Sequence, residues 1–135
     1  MTLPVTAFVA AICGLLLLFT AILTVRQRLR LSAAFGDHGD ARLIAASRSH
    51  GNLAEYAPIT IILLGLLESA RANHLALMAI GAIFLIGRVA HIVGLHTPSS
   101  PGRAPLGRQV GVVATFATLL ALGGWTLWML ATVNL

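Results

Sequence analysis

The run from Leu3 to Val25 holds 23 residues without a single charged side chain. A helix needs about 20 predominantly apolar residues to cross about 30 Å of hydrocarbon. The segment therefore reads as either a membrane helix or a secretory leader. A leader has a basic start and a shorter apolar stretch, whereas Met1 and Thr2 bring no charge, so a membrane helix is expected. Gln109 to Leu135 forms a second uncharged run, with Trp125 and Trp128 placed for an interfacial aromatic belt near its end. Between these runs lie two less pure segments, Leu43 to Leu67 and Leu75 to Leu95, separated by the short turn from Glu68 to His74. The reading is all-α: one integral membrane four-helix domain over 1–135, with helices at about 3–26, 43–68, 74–96 and 107–133.

Charge supports this and orients it. Only 10% of residues are charged, against about 25% in soluble domains. Nine basic residues, all arginine, outweigh four acidic ones for a net charge of +5. On a soluble chain that excess would suggest nucleic acid. Here it sits in loops, so no nucleic-acid partner is expected. Arg26, Arg28, Arg30 and Arg42 fall in or beside the first loop, with Arg48 just beyond, and Arg103 and Arg108 in the third; the second has Arg71 alone. The positive-inside bias then places loops one and three in the cytoplasm and both termini on the opposite side. The third loop, with Pro98, Pro101 and Pro105, is expected to be irregular, with Pro105 close to the start of helix four. The lone cysteine, Cys13, excludes a disulfide framework and a cysteine metal cluster, and lies in an apolar run as a filler.

The ionisable groups inside helices two and three lie toward the cytoplasmic side. Glu55 is 12 residues from Leu67 and Arg88 is 13 from Leu75, about 18 and 20 Å along a helix. Both thus lie at a similar depth, roughly 10 Å below the cytoplasmic edge of the core. A charge in the bilayer is costly, so these groups must face protein or a wet cavity. Arg48, Asn52 and Glu55 are spaced i, i+4, i+7 and share one stripe of helix two, while Arg88 and His91 share a face of helix three that Leu95 continues. The two stripes are expected to converge on a site open to the cytoplasm. Guanidinium, carboxamide and carboxylate together suit a ligand carrying both charges and peptide bonds. The plainer reading is an internal salt bridge from Glu55 to Arg48 or Arg88 that pins two helices. His91 is balanced between a ligand contact and an interhelical hydrogen bond, and His50 is read as a helix–helix or headgroup contact. His91 and His96 are i and i+5 and diverge on a helix, so no metal site is expected. Asp37-His38-Gly39-Asp40 is too short for a calcium-binding loop and reads as a turn. Pro58 is expected to bend helix two beside Glu55. Gly81, Gly87, Gly123 and Gly124 are read as sites of close helix packing.

These residues also form a known pattern. Arg48-Ser-His-Gly-Asn52-Leu-Ala-Glu55-Tyr56-Ala-Pro58 resembles the R-x-x-x-N-x-x-E-Y-x-P signature of the MAPEG superfamily, the membrane-associated proteins in eicosanoid and glutathione metabolism. Gly87-Arg88-Val-Ala-His91 resembles its helix-three segment, Arg103-Ala-Pro105 the third loop of eukaryotic members, and Val25-Arg26-Gln-Arg28 the end of helix one. Together with Ala-Phe-Gly-Asp37 and the Gly-Arg-x-x-His-x-x-Gly-x-His96 pattern, the chain is most similar to the small bacterial branch. The resemblance spans essentially the whole chain.

It implies a homotrimer in the bacterial inner membrane, in contact with lipid, that binds glutathione as co-substrate between neighbouring subunits. The glutathione-binding set would be Arg26, Arg48, Asn52, Glu55, Tyr56, Arg88 and His91, and the catalytic arginine that stabilises the thiolate would be Arg108, or Arg103 in its place. A nearby guanidinium favours the thiolate, which is the nucleophile. A lipophilic electrophile or hydroperoxide would enter from the bilayer. One departure is Leu95, which stands where glutathione-using eukaryotic members carry a tyrosine; Tyr56 is the only tyrosine. Two functions follow: a glutathione-dependent transferase or peroxidase, and a non-catalytic membrane scaffold whose intramembrane charges are structural. A small efflux-type oligomer fits poorly, because its essential carboxylate lies in the first helix and this first helix has none.

Overall fold

The computed structural model describes residues 2–98 and 102–134, so Pro101 of the third loop lies outside the described residues. It contains four helices: α1 (Pro4–Leu31), α2 (Ala41–Ser69), α3 (His74–His96) and α4 (Leu106–Asn134). The expected boundaries hold within about two residues except at the end of α1. That helix continues five residues past Arg26, because arginine, glutamine and leucine are good helix formers and basic side chains suit a helix C-terminus. It stops at Ser32, which turns left-handed (φ 50°), while the Ala33 N–H donates to the Arg28 carbonyl at 2.9 Å. The first loop is therefore confined to 32–40. Gly36 and Gly39 adopt φ 68° and 69° within it, confirming a turn around Asp37–Asp40.

Each of the first three helices starts on a side-chain oxygen. Asp40 caps α2 by accepting from the Leu43 N–H at 2.9 Å, and Asn73 caps α3 by accepting from the Ala76 N–H at 3.0 Å. Helix α1 has no cap of its own. Its exposed N–H groups are met by Glu68 at the far end of α2, which accepts from Val5 N–H at 2.9 Å, Thr6 N–H at 2.8 Å and the Thr6 hydroxyl at 2.7 Å. His74, read from sequence as loop decoration, lies 3.7 Å from the same carboxylate. Successive helices run antiparallel. Helices α2 and α3 form the central pair, with α1 and α4 at opposite corners and out of contact with each other among the described residues.

The core is apolar and draws on all four helices: Val5, Val9, Leu53, Leu64, Leu77, Phe84 and Leu122 are buried, and Cys13 fills space among them. Phe8, Leu15, Phe19, Ile86, Val113 and Leu120 face outward, which in water would be a liability and in lipid is a solvated face. Helices α1, α3 and α4 are long and apolar enough to cross a membrane. Helix α2 is just as long, with 29 residues, but carries charge along its first half and at Glu68. It continues helically through Pro58.

The closest helix approach is between α3 and α4. A Cβ on Gly94 would collide with the Arg108 backbone, one on Gly87 would come within 2.6 Å of the Ala114 Cβ, and one on Gly111 would overlap the His91 Cβ. Gly81 likewise faces Val9 on α1 at 2.9 Å. Gly123 and Gly124, in contrast, have open space beside them and do not mark a helix contact. Near the end of α4, Trp125 leans on the core while Trp128 faces outward.

Candidate functional site

At the end of the bundle where α1 and α3 end and α2 and α4 begin, two clefts share Arg48 and Asn52. The larger has a volume of about 610 Å³ and is lined by Arg48 and Asn52 from α2, His91 and Leu95 from α3, and Arg108 and Val112 from α4. Its size falls within the range of small-molecule sites. The smaller, about 350 Å³, is lined by Arg48, Asn52 and Glu55 together with Arg28, Asp37 and Ser47. The stripe Arg48, Asn52, Glu55 thus stays together, as its helical spacing requires. One cleft presents cations and an imidazole, the other presents two carboxylates, and Arg48 and Asn52 belong to both.

The close fit of α3 against α4 is what places His91 beside Arg108. With glycine at positions 94, 107 and 111 the two backbones touch, and His91 Nδ1 comes 3.3 Å from the Arg108 carbonyl. His91 thus makes the interhelical hydrogen bond of its plainer reading, and it also lines the larger cleft. His50 matches its plainer reading, with Nδ1 3.2 Å from the Thr20 hydroxyl of α1. Arg108 lines the larger cleft, while Arg103 stands exposed in the loop and lines neither. Arg26 is exposed on α1 outside both clefts, and Arg28 occupies the smaller one instead, bonded to the Ala34 and Gly36 carbonyls at 3.3 Å each.

Arg88 departs from the expected convergence with Glu55. Its side chain is only 2% exposed and turns into the bundle. There it donates to the Gly111 carbonyl at 3.2 Å, to the Thr115 hydroxyl and, more distantly, to the Asn52 carbonyl at 3.5 Å. The rings of Tyr56 and Phe84 lie 5.7 and 5.8 Å from its guanidinium carbon, at cation–π distance. Tyr56 in turn meets Phe116 edge-on, ring centres 6.4 Å apart, and lines neither cleft. Neither Arg88 nor Arg48 pairs with Glu55: among the described residues the ion pairs are Arg30–Asp40 and His74–Glu68. The plain salt-bridge reading of Glu55 is therefore not met. Sequence reasoning missed three features: the interior role of Arg88, the Glu68 cap, and the place of Arg28 and Asp37 in the smaller cleft. The Gly107-x-x-x-Gly111 spacing was a visible signal for the close α3–α4 approach that creates the first.

Comparison with known proteins agrees with this architecture over almost its full length. The chain is 35% identical over 124 residues to "Inner membrane protein YecN" of Escherichia coli strain K12, covering 92% of this chain and 91% of that protein. The protein of the same name from Escherichia coli O6:H1 strain CFT073 matches to the same extent. No solved structure matches the chain. The MAPEG family model matches residues 6–128, from the first turns of α1 to the last turns of α4, and so takes in both clefts. With every lining residue and most of all four helices inside that match, the chain is an all-α membrane protein that belongs to the MAPEG family.

Proposed function

We propose that this protein is a glutathione-dependent membrane transferase or peroxidase that holds glutathione as a thiolate for attack on lipophilic electrophiles or hydroperoxides. The observation that carries the reading is the gathering of Arg48, Asn52, His91 and Arg108 around one cleft, with Glu55 beside it and free of any ion pair among the described residues. A charge that served only to pin helices would be paired, since unpaired charge near hydrocarbon is costly. Glutathione carries two carboxylates, an ammonium and two amides. Arg48 and Asn52 match its carboxylates and amides, Glu55 and Asp37 match its ammonium, and Arg108 is placed to stabilise the sulfur.

The reading extends to a homotrimer in a bacterial inner membrane, with loops one and three cytoplasmic and the termini on the opposite side. Arg26, exposed on its own subunit, is then available to a site shared with a neighbour, whereas Arg103 is the weaker candidate beside Arg108. The second substrate enters from lipid through the apolar outer faces of α1 and α4. Calorimetric titration of glutathione into detergent-purified protein tests the reading. Saturable binding is expected, and Arg48→Ala should abolish it while leaving the oligomer intact. Arg108→Ala should keep binding but lose conjugation. No binding at millimolar glutathione, or an oligomer that dissociates in Arg48→Ala, would favour a non-catalytic scaffold.

A further inference from the structure

The larger cleft has a polar part and an apolar part. Arg48, Asn52, His91 and Arg108 make the first, and Ala41, Ile44, Ala45, Leu95 and Val112 make the second. A polar tripeptide is matched by the first and leaves the second without an occupant. Beyond that apolar wall a third cavity of about 640 Å³ lies between the start of α2 and the end of α3. Ala41, Ala45 and Leu95 line both spaces, so the two adjoin. The polar side chains of the third cavity are Arg42, His96 and Thr97, and no carboxylate lines it among the described residues. Arg42 is exposed and has no ion pair among the described residues. The nearest acid in sequence, Asp40, is committed to Arg30 at 2.7 Å and to the Leu43 N–H at 2.9 Å. His96 Nδ1 donates to the Ile92 carbonyl at 2.9 Å and the Thr97 hydroxyl to the Val93 carbonyl at 2.9 Å. Arg42 is therefore the uncommitted fixed charge of a cavity whose other wall is alanine, leucine and proline.

Resting on the glutathione reading for the reaction itself, we propose that this cavity binds the anionic head of the second substrate, whose chain passes Leu95 into the larger cleft. The substrate class is then an amphiphilic acid, not a neutral electrophile. A guanidinium takes a carboxylate or phosphate through two parallel N–H bonds, and the shared apolar wall takes the chain that follows the head. The larger cleft is bounded on its far side by α4, past which a lipid-borne molecule enters, so the reacting carbon meets the thiol while the head rests on Arg42. For an acid that carries an enone the step is an addition. The thiol gives its proton to water, and the sulfur pair bonds to the β-carbon. The C=C π pair moves onto the enone oxygen, and the carbonyl re-forms as the α-carbon takes a proton from water. Nothing leaves, and no oxidant or reductant is needed.

Binding and turnover are tested separately. Decanoate and decanol are titrated calorimetrically into the protein in phosphatidylcholine nanodiscs, which hold no competing anionic lipid, with protein-free discs as the blank. Wild type should bind decanoate saturably and about tenfold or more tightly than decanol, and Arg42→Gln should lose that preference. Equal binding of acid and alcohol, or a preference that Arg42→Gln keeps, would overturn the proposal. Glutathione should bind Arg42→Gln as it binds wild type, showing that the variant is folded, because Arg42 lines neither of the other clefts. Should Arg42→Gln not fold, Thr97→Trp narrows the cavity from an exposed position, and a preference retained there would equally overturn it. In turnover, a medium-chain enone acid should exceed its methyl ester about tenfold in kcat/KM with wild type, and the ratio should fall toward one in Arg42→Gln. Preferential decanoate binding without that preference in turnover would mark a lipid-headgroup site and overturn the substrate assignment. Failure of wild type to bind glutathione would remove the glutathione reading alone, and the decanoate titration would still decide whether the cavity takes an anionic head.

Discussion

Glu55 and Glu68 lie on the same helix, one near each end of the bundle, and the protein treats them in opposite ways. Glu68 is buried, and its two oxygens are taken up by Val5 N–H, Thr6 N–H and the Thr6 hydroxyl, with His74 close by. Glu55 is exposed to a cleft, has no ion pair among the described residues, and shares that space with Arg28, Arg48 and Asn52. A carboxylate with both oxygens committed holds a fold together. One left open among guanidinium and amide groups has its energy available for something that arrives. The difference lies in neither composition nor depth in the sequence; it lies in what the first helix brings alongside.

The sharpest way to break the comparison is at Glu68. Glu68→Ala removes three hydrogen bonds to α1 and strips its N-terminus of both cap and countercharge. Hydrogen bonds to charged groups contribute about 1.5–3 kcal/mol each when lost singly, and because the three share one carboxylate their losses do not add. A destabilisation on the order of 3 kcal/mol is expected, seen as a clear fall in the thermal unfolding midpoint in detergent. Glu68→Gln keeps an acceptor and should lose less. An unchanged midpoint in Glu68→Ala would mean that α1 finds its cap elsewhere, and the structural half of the contrast would fail.

The complementary variant is Glu55→Gln. Stability should move by no more than about 0.5 kcal/mol, as for a surface substitution away from any committed contact. Glutathione affinity should fall at least tenfold, equivalent to about 1.4 kcal/mol, because the ligand ammonium loses its counter-ion. Affinity equal to wild type would transfer that role to Asp37, whose carboxylate lines the same cleft. A large loss of stability with binding intact would make Glu55 a second Glu68.

Much of this contrast was legible before any coordinates. The 23-residue uncharged run, the second uncharged run with Trp125 and Trp128 near its end, the two less pure apolar segments between them and the short second turn specify four antiparallel helices. The i, i+4, i+7 spacing of Arg48, Asn52 and Glu55 places them on one stripe, because helical periodicity fixes relative angle along one element. Periodicity does not fix which neighbour a side chain meets. Arg88 has the right depth for Glu55, yet its guanidinium turns toward Gly111 and Thr115 because α4 approaches α3 closely enough to present them. That approach depends on Gly94, Gly107 and Gly111 being matched across two helices. The choice of Gly123 and Gly124 as packing sites fails for the same reason: a small residue permits a contact without supplying the partner. Glu68 reads from sequence as part of a turn, because its partners lie more than 60 residues away, at the start of the chain. The first arginine, Arg26, marks the end of the uncharged run but not the end of α1, because arginine continues a helix well.

The smallest expected effect concerns the loop that shapes the smaller cleft. Asp40 caps α2 and accepts from Arg30 at 2.7 Å. That hydrogen bond, followed by the one from the Leu43 N–H, holds its carboxyl below its ordinary value of 3.8. A carboxylate whose folded value is depressed contributes stability that is fully present above its unfolded value and disappears as pH falls through the folded one. Asp40→Asn retains the capping oxygen and loses the charge, so its midpoint should lie slightly below wild type at neutral pH. The two curves should converge as the pH drops below 3.8, where the wild-type carboxyl takes up its proton. Added salt at neutral pH should narrow the gap as well, since the pair is solvent-exposed and screened. A gap that stays constant through the acid range would show that Asp40 acts through its cap geometry alone. The Arg30 pairing would then be incidental to the loop that carries Asp37 into the cleft.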